Sequence, residues 1–589
     1  MAERKKQSLL NGALILSLAV IIVKITGVLF KLYVTQKIGY AAKGYFATAY
    51  SIYTPIYSIA LAGLPTAVAK LVAEKASLGK YRDVKELFKV STGLFTLLGV
   101  IGTVIMVIIA YPYSLSVGSV DALPAVLTVA PSLLFCCIMS GYRGYYQGLR
   151  NMNPSAVSQV IEAAGKLIFG FVLMNMVLLS GVEFSDKIPV LKDIVTDNVS
   201  AYAAAAAIAG VTIGSVMALI YIAVKHKLDK KSIPSELIEG SPESESTRAL
   251  RKQLLSLALP IAASSLVFNL TTFIDSWTIQ NRLQYVLENN FDTVAAMYPG
   301  IIEAEGFVAS QAEKFKSYLF GAYDTVLEIK NIIPTFTITL GLSAIPVLSE
   351  AWIHKNKKAA AAAISSVLRI TTLISLPAGM GLFVLAKEIL YLIYGTNEGT
   401  APAIEYIAPI LMIYGISVCF LALAQPVTNM LQAVNRTDVP VKSMAIGAAV
   451  KILANFILVS IPSINIQGAV IGSFLCNIVM VFYGLVVLKK EVELKYDIKA
   501  IVVKPLICSL LSAGGAWAVN GIAGHFMKGY AISSFLSGEN IATVIAVVSA
   551  VIIYAVSLLL TGTLQKSDIR MLPKGEKIAK VLEKYRLLG

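Results

Sequence analysis

The stretch LILSLAVIIVKITGVLFKLYV, residues 14–34, is a long apolar run that contains two charged residues, Lys24 and Lys31. A helix needs about 20 apolar residues to cross the hydrocarbon core of a bilayer. The run lacks a small-residue cleavage site after it and is too long for the core of a signal peptide. We therefore expect residues 9–36 to remain in the protein as a first membrane span, and the two lysines need an explanation.

The bulk composition indicates a polytopic membrane protein. The chain has 589 residues, of which 57% are hydrophobic and 14% charged, with a mean hydropathy of +0.74. These values exclude an ordinary soluble enzyme, and the unbroken apolar runs exclude an outer-membrane barrel. The net charge of +15 comes from cations that cluster between apolar segments, which is a topology pattern, so no nucleic-acid partner is predicted. The five cysteines lie in apolar segments without metal-ligand spacing, so no metal site is predicted.

Fourteen segments have the length and composition of membrane spans, which predicts an all-α fold. The even-numbered connections are rich in Lys and Arg, as in HKNKK at residues 354–358, and the opposite ones carry almost none. The positive-inside rule therefore predicts a multi-pass protein with both termini in the cytoplasm. The membrane is expected to be the cell (plasma) membrane. The connection at residues 282–316 is predicted to lie outside and to form a small surface helix or a cap. The predicted spans are 9–36, 45–73, 88–112, 121–142, 155–180, 201–225, 253–281, 317–347, 362–391, 402–433, 440–461, 466–488, 501–525 and 539–562.

The two halves of the chain resemble each other. QGLRNMNPSAVSQVIEAAGKLI (147–168) aligns with LQAVNRTDVPVKSMAIGAAVKIL (431–453), and Lys166 and Lys451 each stand 19 residues after a Gln. Two six-span bundles in a parallel repeat, with a cavity between them, suit an alternating-access transporter. The predicted domains are an N-terminal six-helix lobe (1–231), a flexible serine-rich cytoplasmic linker (232–249), a C-terminal six-helix lobe (250–490), and two extra transmembrane helices with a basic cytoplasmic tail (491–589).

Charges deep in the spans are the candidate binding residues, because a charge at mid-membrane costs roughly 2.5 to 3.5 kcal/mol on insertion scales. Lys24 lies about 22 Å along the first span, whereas Lys31 and Lys70 lie near span ends, where their stems are able to reach the interface. Glu162 and Lys166, at i and i+4, either line the cavity or neutralise each other. Cations outnumber carboxylates at depth, which favours an anionic ligand. The residues predicted to line a central cavity are Lys24, Lys31, Glu162, Lys166, Glu328, Lys330 and Lys451.

Three stretches carry a resemblance to a known family: KITGVLFKLYVTQKIG (24–39), GYFATAYSIYTPIYSIALAGLPTAVAKLVAE (44–74) and SGYRGYYQGLRNMNPSAVSQVIEAAGKLI (140–168). They resemble the stage V sporulation protein B branch of the multidrug, oligosaccharidyl-lipid and polysaccharide (MOP) exporter superfamily, which is related to the lipid II flippases (MurJ-like proteins). The resemblance covers nearly the whole chain.

The resemblance implies fourteen helices in two pseudo-symmetric six-helix bundles plus two C-terminal helices. It also implies export of an undecaprenyl-pyrophosphate-linked precursor from the inner to the outer leaflet by alternating access. By the same resemblance Lys24 helps bind the pyrophosphate, and Glu328 and Lys330 fall in a span with functional charges. The middle of the second span, YSIALAG, lacks the basic residues of the best-known flippases.

Two other functions are compatible with the sequence. A cation-coupled multidrug exporter of the same superfamily would be expected to bury more carboxylates than lysines, and a scaffold for cell-wall or spore-coat assembly would transport nothing. No catalytic constellation is found, so the chain is predicted not to be an enzyme and to need no cofactor. The expected partners are the lipid-linked oligosaccharide, the bilayer and cell-wall synthesis enzymes, and the sequence leaves the coupling ion open.

Overall fold

The computed structural model describes residues 9–60, 64–180, 198–229, 233–396, 399–492, 497–530 and 537–565. The structure is 88% helix, and the described ranges contain no strand, which confirms the all-α fold class. Eleven of the helices in these ranges are long and apolar enough to cross a membrane. The count of fourteen spans stays a prediction, and the predicted basic tail beyond residue 565 lies outside the described residues.

The helices follow one another with short connections. The first part of the chain forms α1 (Leu9–Ser58), α2 (Leu64–Ser77), α3 (Tyr81–Ser116), α4 (Leu123–Val129), α5 (Ser132–Gly148), α6 (Asn153–Ser180), α7 (Asn198–Leu228), α8 (Ser235–Glu239) and α9 (Thr247–Ala295). The rest forms α10 (Pro299–Glu305), α11 (Ala312–Lys330), α12 (Ile332–Ile353), α13 (Lys357–Val384), α14 (Ala386–Tyr394), α15 (Ile404–Ala433), α16 (Asp438–Leu458), α17 (Gln467–Val492), α18 (Lys504–Met527) and α19 (Gly538–Leu560). The small helix expected within residues 282–316 is α10.

The helices belong to two compact units. The first unit contains Met1–Gln284 and Ser310–Gly321, and the second contains Tyr285–Ala309 and Ala322–Gly589. Most of α9 and the beginning of α11 are therefore parts of the first unit. The predicted lobe boundaries describe a repeat in the sequence, and they stay a prediction.

A kink divides α1 into two helical segments. Gly39 has φ 72° and ψ −179°, a left-handed conformation that glycine adopts without the penalty of a side chain. Lys24 and Lys31 lie in the segment before the kink, and Tyr50 lies in the segment after it. The second predicted span, 45–73, is divided between the end of α1 and the first part of α2.

A close contact between α6 and α7 positions two of the predicted site residues. A Cβ atom added at Gly214 would lie 2.5 Å from the carbonyl oxygen of Glu162 and 2.8 Å from the backbone nitrogen of Lys166. Small residues let membrane helices approach this closely. In the second unit, a Cβ atom at Gly472 of α17 would lie 3.2 Å from the carbonyl oxygen of Lys451 on α16. The two aligned lysines therefore stand at similar helix–helix contacts.

The linker between the halves is held by hydrogen bonds. The Asp83 carboxylate accepts hydrogen bonds from the Ser244 hydroxyl at 2.9 Å and from the Glu245 backbone N–H at 2.8 Å. The Glu245 carboxylate lies 2.5 Å from the ammonium of Lys75 and 3.0 Å from that of Lys80. The expectation of a freely flexible linker is wrong for these residues. Their partners lie in the α2–α3 region, so the linker's own composition does not reveal them.

Candidate functional site

Lys166 is a deep cation that lies against aromatic rings. It is near the middle of the 28-residue helix α6, about 20 Å from the first residue of the helix. Its Nζ atom lies 5.0 Å from the ring centroids of both Phe30 and Tyr50. Cation–π contacts contribute roughly 0.5 to 2 kcal/mol, so they offset only part of the cost of a charge at this depth. Among the described residues, no carboxylate lies within salt-bridge distance of Lys166.

Lys31 shares the same tyrosine. Its Nζ atom lies 5.7 Å from the ring centroid of Tyr50, so one ring contacts both lysines. The Tyr50 ring is itself held by stacking on Phe46, with centroids 4.8 Å apart, and by an edge contact with Tyr53 at 5.9 Å. The structure therefore brings together two lysines that are far apart in the sequence, through a residue that the sequence did not single out.

Glu162 forms an ion pair with an arginine of the neighbouring helix. Its Oε2 atom accepts a 2.8 Å hydrogen bond from Nη2 of Arg143 on α5, whose Nε donates to the Ser158 hydroxyl at 3.0 Å. The arginine side chain is 6% exposed and the glutamate side chain 17%. The alternative in which Glu162 is neutralised by Lys166 on its own helix is therefore wrong, because Arg143 supplies the counter-charge.

Arg143 is a candidate that the sequence prediction missed. The predicted span ended at residue 142, which left Arg143 in a cation-rich connection, whereas α5 runs to Gly148 and buries it. The burial follows from close packing, since a Cβ atom at Gly144 would lie 2.6 Å from the Cβ of Val68 on α2. The only sequence signal for this ion pair was that Arg143 and Glu162 both lie in the stretch that carries the family resemblance. Because a turn separates the two residues, their spacing in the sequence does not show that the side chains meet.

Lys24 is exposed on α1, two turns and about 10 Å before Lys31. Within the described part of the chain, no hydrogen bond or ion pair reaches its ammonium group. Lys70 is also exposed, on α2. The structure therefore leaves the proposed difference between these two lysines, binding for Lys24 and snorkelling for Lys70, as a prediction.

The second unit contains its own lysine–tyrosine contact. Lys330, which is 9% exposed, is the last residue of α11, and its Nζ atom lies 3.9 Å from the ring centroid of Tyr414. The Tyr414 hydroxyl lies 2.8 Å from the Tyr323 hydroxyl. Glu328 on α11 and Lys451 on α16 are both half-buried. The seven predicted residues thus fall into two groups, with Lys24, Lys31, Glu162 and Lys166 in the first unit and Glu328, Lys330 and Lys451 in the second.

The residues of the first unit form what we call the cation cluster, defined as Lys31, Lys166, Arg143, Glu162 and Tyr50. Three cationic side chains and one carboxylate give the cluster an excess of two positive charges. In a site partly shielded from water, such charges form short, strong hydrogen bonds with phosphate oxygens. The cluster therefore has the charge and donors needed to hold an anion such as a diphosphate.

Comparison with known proteins identifies the family. The family model described as polysaccharide biosynthesis protein matches residues 9–352, which is more than half of the chain. The chain belongs to the polysaccharide biosynthesis protein family. A second model, described as lipid II flippase MurJ, matches residues 332–538. These matches confirm the predicted place in the MOP superfamily, among the lipid II flippase-like proteins.

Two relatives from Bacillus subtilis (strain 168) are similar over nearly their full lengths. Stage V sporulation protein B is 25% identical over 577 residues, covering 96% of this chain and 98% of the relative. Lipid II flippase MurJ is 26% identical over 578 residues, covering 96% and 97%. Members of this family are transport proteins, and the chain is not an enzyme.

Two solved structures share the fold. Lipid II flippase MurJ in an inward closed conformation has a TM-score of 0.63 and 15% identity, covering 93% of this chain and 98% of that one. An inward-facing multidrug resistance MATE family transporter of the MOP superfamily has a TM-score of 0.58 and 14% identity, covering 82% and 99%. At these identities the likeness shows the fold alone.

Proposed function

We propose that this protein is a flippase that moves an undecaprenyl-pyrophosphate-linked cell-wall or polysaccharide precursor, of the lipid II type, from the inner to the outer leaflet by alternating access. The observation that carries the proposal is the cation cluster, in which Lys31 of α1 and Lys166 of α6 contact one tyrosine ring. The protein acts in the plasma membrane with both termini in the cytoplasm, and cell-wall synthesis enzymes consume what it exports.

The chemistry is binding without any bond being made or broken. A diphosphate carries about two negative charges, which match the excess charge of the cluster, and ammonium groups donate short hydrogen bonds to its oxygens. The Tyr50 ring holds the ammonium groups of Lys31 and Lys166 on one aromatic side chain through cation–π contacts. The lipid tail remains in the bilayer, so only the polar head group has to pass the cluster. Lys24, which is exposed on α1 two turns before Lys31, is proposed to contact the same head group.

The names of the relatives support this proposal, since one of them is called a lipid II flippase. The fold alone also fits a cation-coupled multidrug exporter, because a MATE transporter shares it. The cation cluster favours the flippase, since a cationic drug would be repelled by an excess of positive charge. A scaffold that transports nothing gives no reason for placing unneutralised Lys166 in the membrane.

A substitution in α6 tests the proposed function. In cells that depend on this protein, Lys166→Ala should insert normally, because it removes a charge from a span, and should sharply reduce the amount of lipid-linked precursor accessible at the cell surface. Lys70→Ala is the matched control, since Lys70 is an exposed lysine that contacts none of the cluster, and it should retain near-normal export. Membrane levels of both variants are checked by blotting.

Ligand binding to the purified protein distinguishes a flippase from a multidrug exporter. Farnesyl pyrophosphate, a short soluble polyprenyl diphosphate, should bind the protein and should lose affinity in Lys166→Ala, whereas ethidium, a cationic drug, should not compete. Normal export by a well-inserted Lys166→Ala protein, or binding of ethidium in place of the diphosphate, would overturn the proposal.

A further inference from the structure

The buried Arg143 has more hydrogen-bond donors than its partners use. A guanidinium group carries five N–H donors. Within the described residues, one donor of Nη2 is used by Glu162 and the Nε donor by Ser158, and the remaining three have no acceptor. On the other side of the pair, the Tyr57 hydroxyl is 3.5 Å from Oε1 of Glu162, which is a weak contact. A guanidinium that is 6% exposed and only partly satisfied is suited to a further anionic partner.

The repeat shows that this ion pair is not needed to assemble the helices. The alignment of Lys166 with Lys451 brings IEAAGK opposite IGAAVK, so that Gly447 stands at the position of Glu162. The same alignment places Thr428 at the position of the arginine. The counterparts of α5 and α6 in the second unit, α15 and α16, both form without an ion pair at these positions. The pair is therefore a specialisation of the first unit, added to a framework that forms without it.

Stability gives no sufficient reason for the pair. Removing two charges from water is costly, and replacing a buried ion pair by apolar residues is often neutral or stabilising. The ion pair lies beside Lys166 of the cation cluster, because Glu162 and Lys166 share one face of α6 and are about 6 Å apart along the helix. A diphosphate held at Lys166 thus lies close to the unused donors of Arg143.

We infer that Arg143 is a further binding residue for the diphosphate, and that Glu162 is a built-in competitor that limits how tightly the diphosphate is held. The inference rests on the proposed function and deepens it. The arginine fork matches two phosphate oxygens at once, which a lysine cannot do. When the head group arrives, its oxygens share the guanidinium with Glu162. When the head group leaves, the carboxylate takes the donors back, so the arginine is never left as an uncompensated buried charge.

The competitor has a purpose in transport. Three cations in a partly dehydrated site would bind a diphosphate strongly and release it slowly. When the diphosphate leaves, the Glu162 carboxylate pairs again with Arg143, which lowers the free-energy cost of release. Binding is weaker as a result, and each transport cycle is faster. Removing the Glu162 charge should therefore raise the affinity for the diphosphate and lower its dissociation rate.

The test uses the purified full-length protein and farnesyl pyrophosphate, with equilibrium affinity and dissociation rate as the two measurements. Glu162→Gln keeps the shape of the side chain but removes its charge, and it should tighten binding about tenfold and slow dissociation by a similar factor. Glu74→Gln is the matched control, because Glu74 is an exposed carboxylate on α2, and it should behave as the wild type.

A double variant covers the case in which Glu162→Gln fails to fold. Arg143→Gln combined with Glu162→Gln leaves neither charge alone, so it should fold and should bind about tenfold more weakly than the wild type, since a binding cation is gone. A double variant with wild-type affinity overturns the inference. So does a folded Glu162→Gln protein whose affinity is unchanged or weaker.

The two proposals fail in different ways. If the wild-type protein does not bind farnesyl pyrophosphate, the proposed function fails and the inference fails with it. If the wild type binds and Lys166→Ala weakens that binding, but the Arg143 and Glu162 variants do not behave as stated, only the inference is overturned.

Discussion

The contact between α6 and α7 leads to a prediction about a residue that carries no charge. In Gly214→Ala, the new Cβ atom would stand 2.5 Å from the Glu162 carbonyl oxygen and 2.8 Å from the Lys166 backbone nitrogen. Ordinary van der Waals contact begins at about 3.5 Å, so α6 has to recede by roughly 1 Å. Overpacking of this kind costs about 1 to 3 kcal/mol. A shift of that size also disturbs the 2.8 Å bond between Glu162 and Arg143.

The assay combines thermal unfolding of the purified protein with farnesyl pyrophosphate binding. Gly214→Ala should lower the melting temperature and change the affinity for the diphosphate, because the backbone that carries Glu162 and Lys166 has moved. Gly93→Ala on α3 is the matched control, since nothing lies within 4 Å of its added Cβ, and it should be neutral or stabilising by about 0.4 to 1 kcal/mol. If Gly214→Ala matches this control in both measurements, the close contact does not position the site.

Three other perturbations have defined outcomes. Lys24→Ala should reach the membrane in normal amounts yet reduce surface-accessible precursor, and Lys24→Arg should retain much of the activity because the charge persists; normal flipping by the alanine variant would withdraw Lys24 from the site. Two lysine ammonium groups lower the pKa of Glu245 from 4.5 to about 2, so protection of the linker amides from hydrogen exchange should hold above pH 4.5 and be lost as the pH falls towards 2. Glu245→Gln should lose that protection at neutral pH, whereas Glu243→Gln, at an exposed neighbouring position, should keep it. Equal exchange in both variants would refute the role of Glu245 in holding the linker. A membrane-impermeant thiol reagent should label Ser463→Cys on intact cells but Lys355→Cys only after permeabilisation, against a background of buried native cysteines, and the opposite result would reverse the topology.

The candidate site could be predicted from the sequence only in part. The depth of Lys166 follows from counting along an apolar segment, and the structure places it in mid-helix as expected. The partner of Glu162 could not be found in this way, because the favourable i, i+4 spacing to Lys166 pointed to the wrong cation. The true partner, Arg143, looked like part of a connection until the packing of α5 against α2 was known.

The fold class and the repeat were decided by the sequence alone. A membrane span can be recognised from local sequence, since about 20 consecutive apolar residues are long enough to cross the bilayer whatever surrounds them. The repeat can be recognised because both halves keep the same residues at the same spacing. The family resemblance rests on such local stretches as well. These properties need no knowledge of which helices touch.

Only the tertiary structure decided which deep charges meet and what neutralises them. Tyr50 joins Lys31 to Lys166 because the kinked α1 and helix α6 pack side by side. Arg143 of α5 meets Glu162 of α6, and these two helices are held closely against α2 and α7 at Gly144 and Gly214. The linker, flexible by composition, is held by charges from α2 and α3. Each of these contacts joins residues from separate helices, and its energy depends on a distance of a few ångströms that no local pattern of residues encodes.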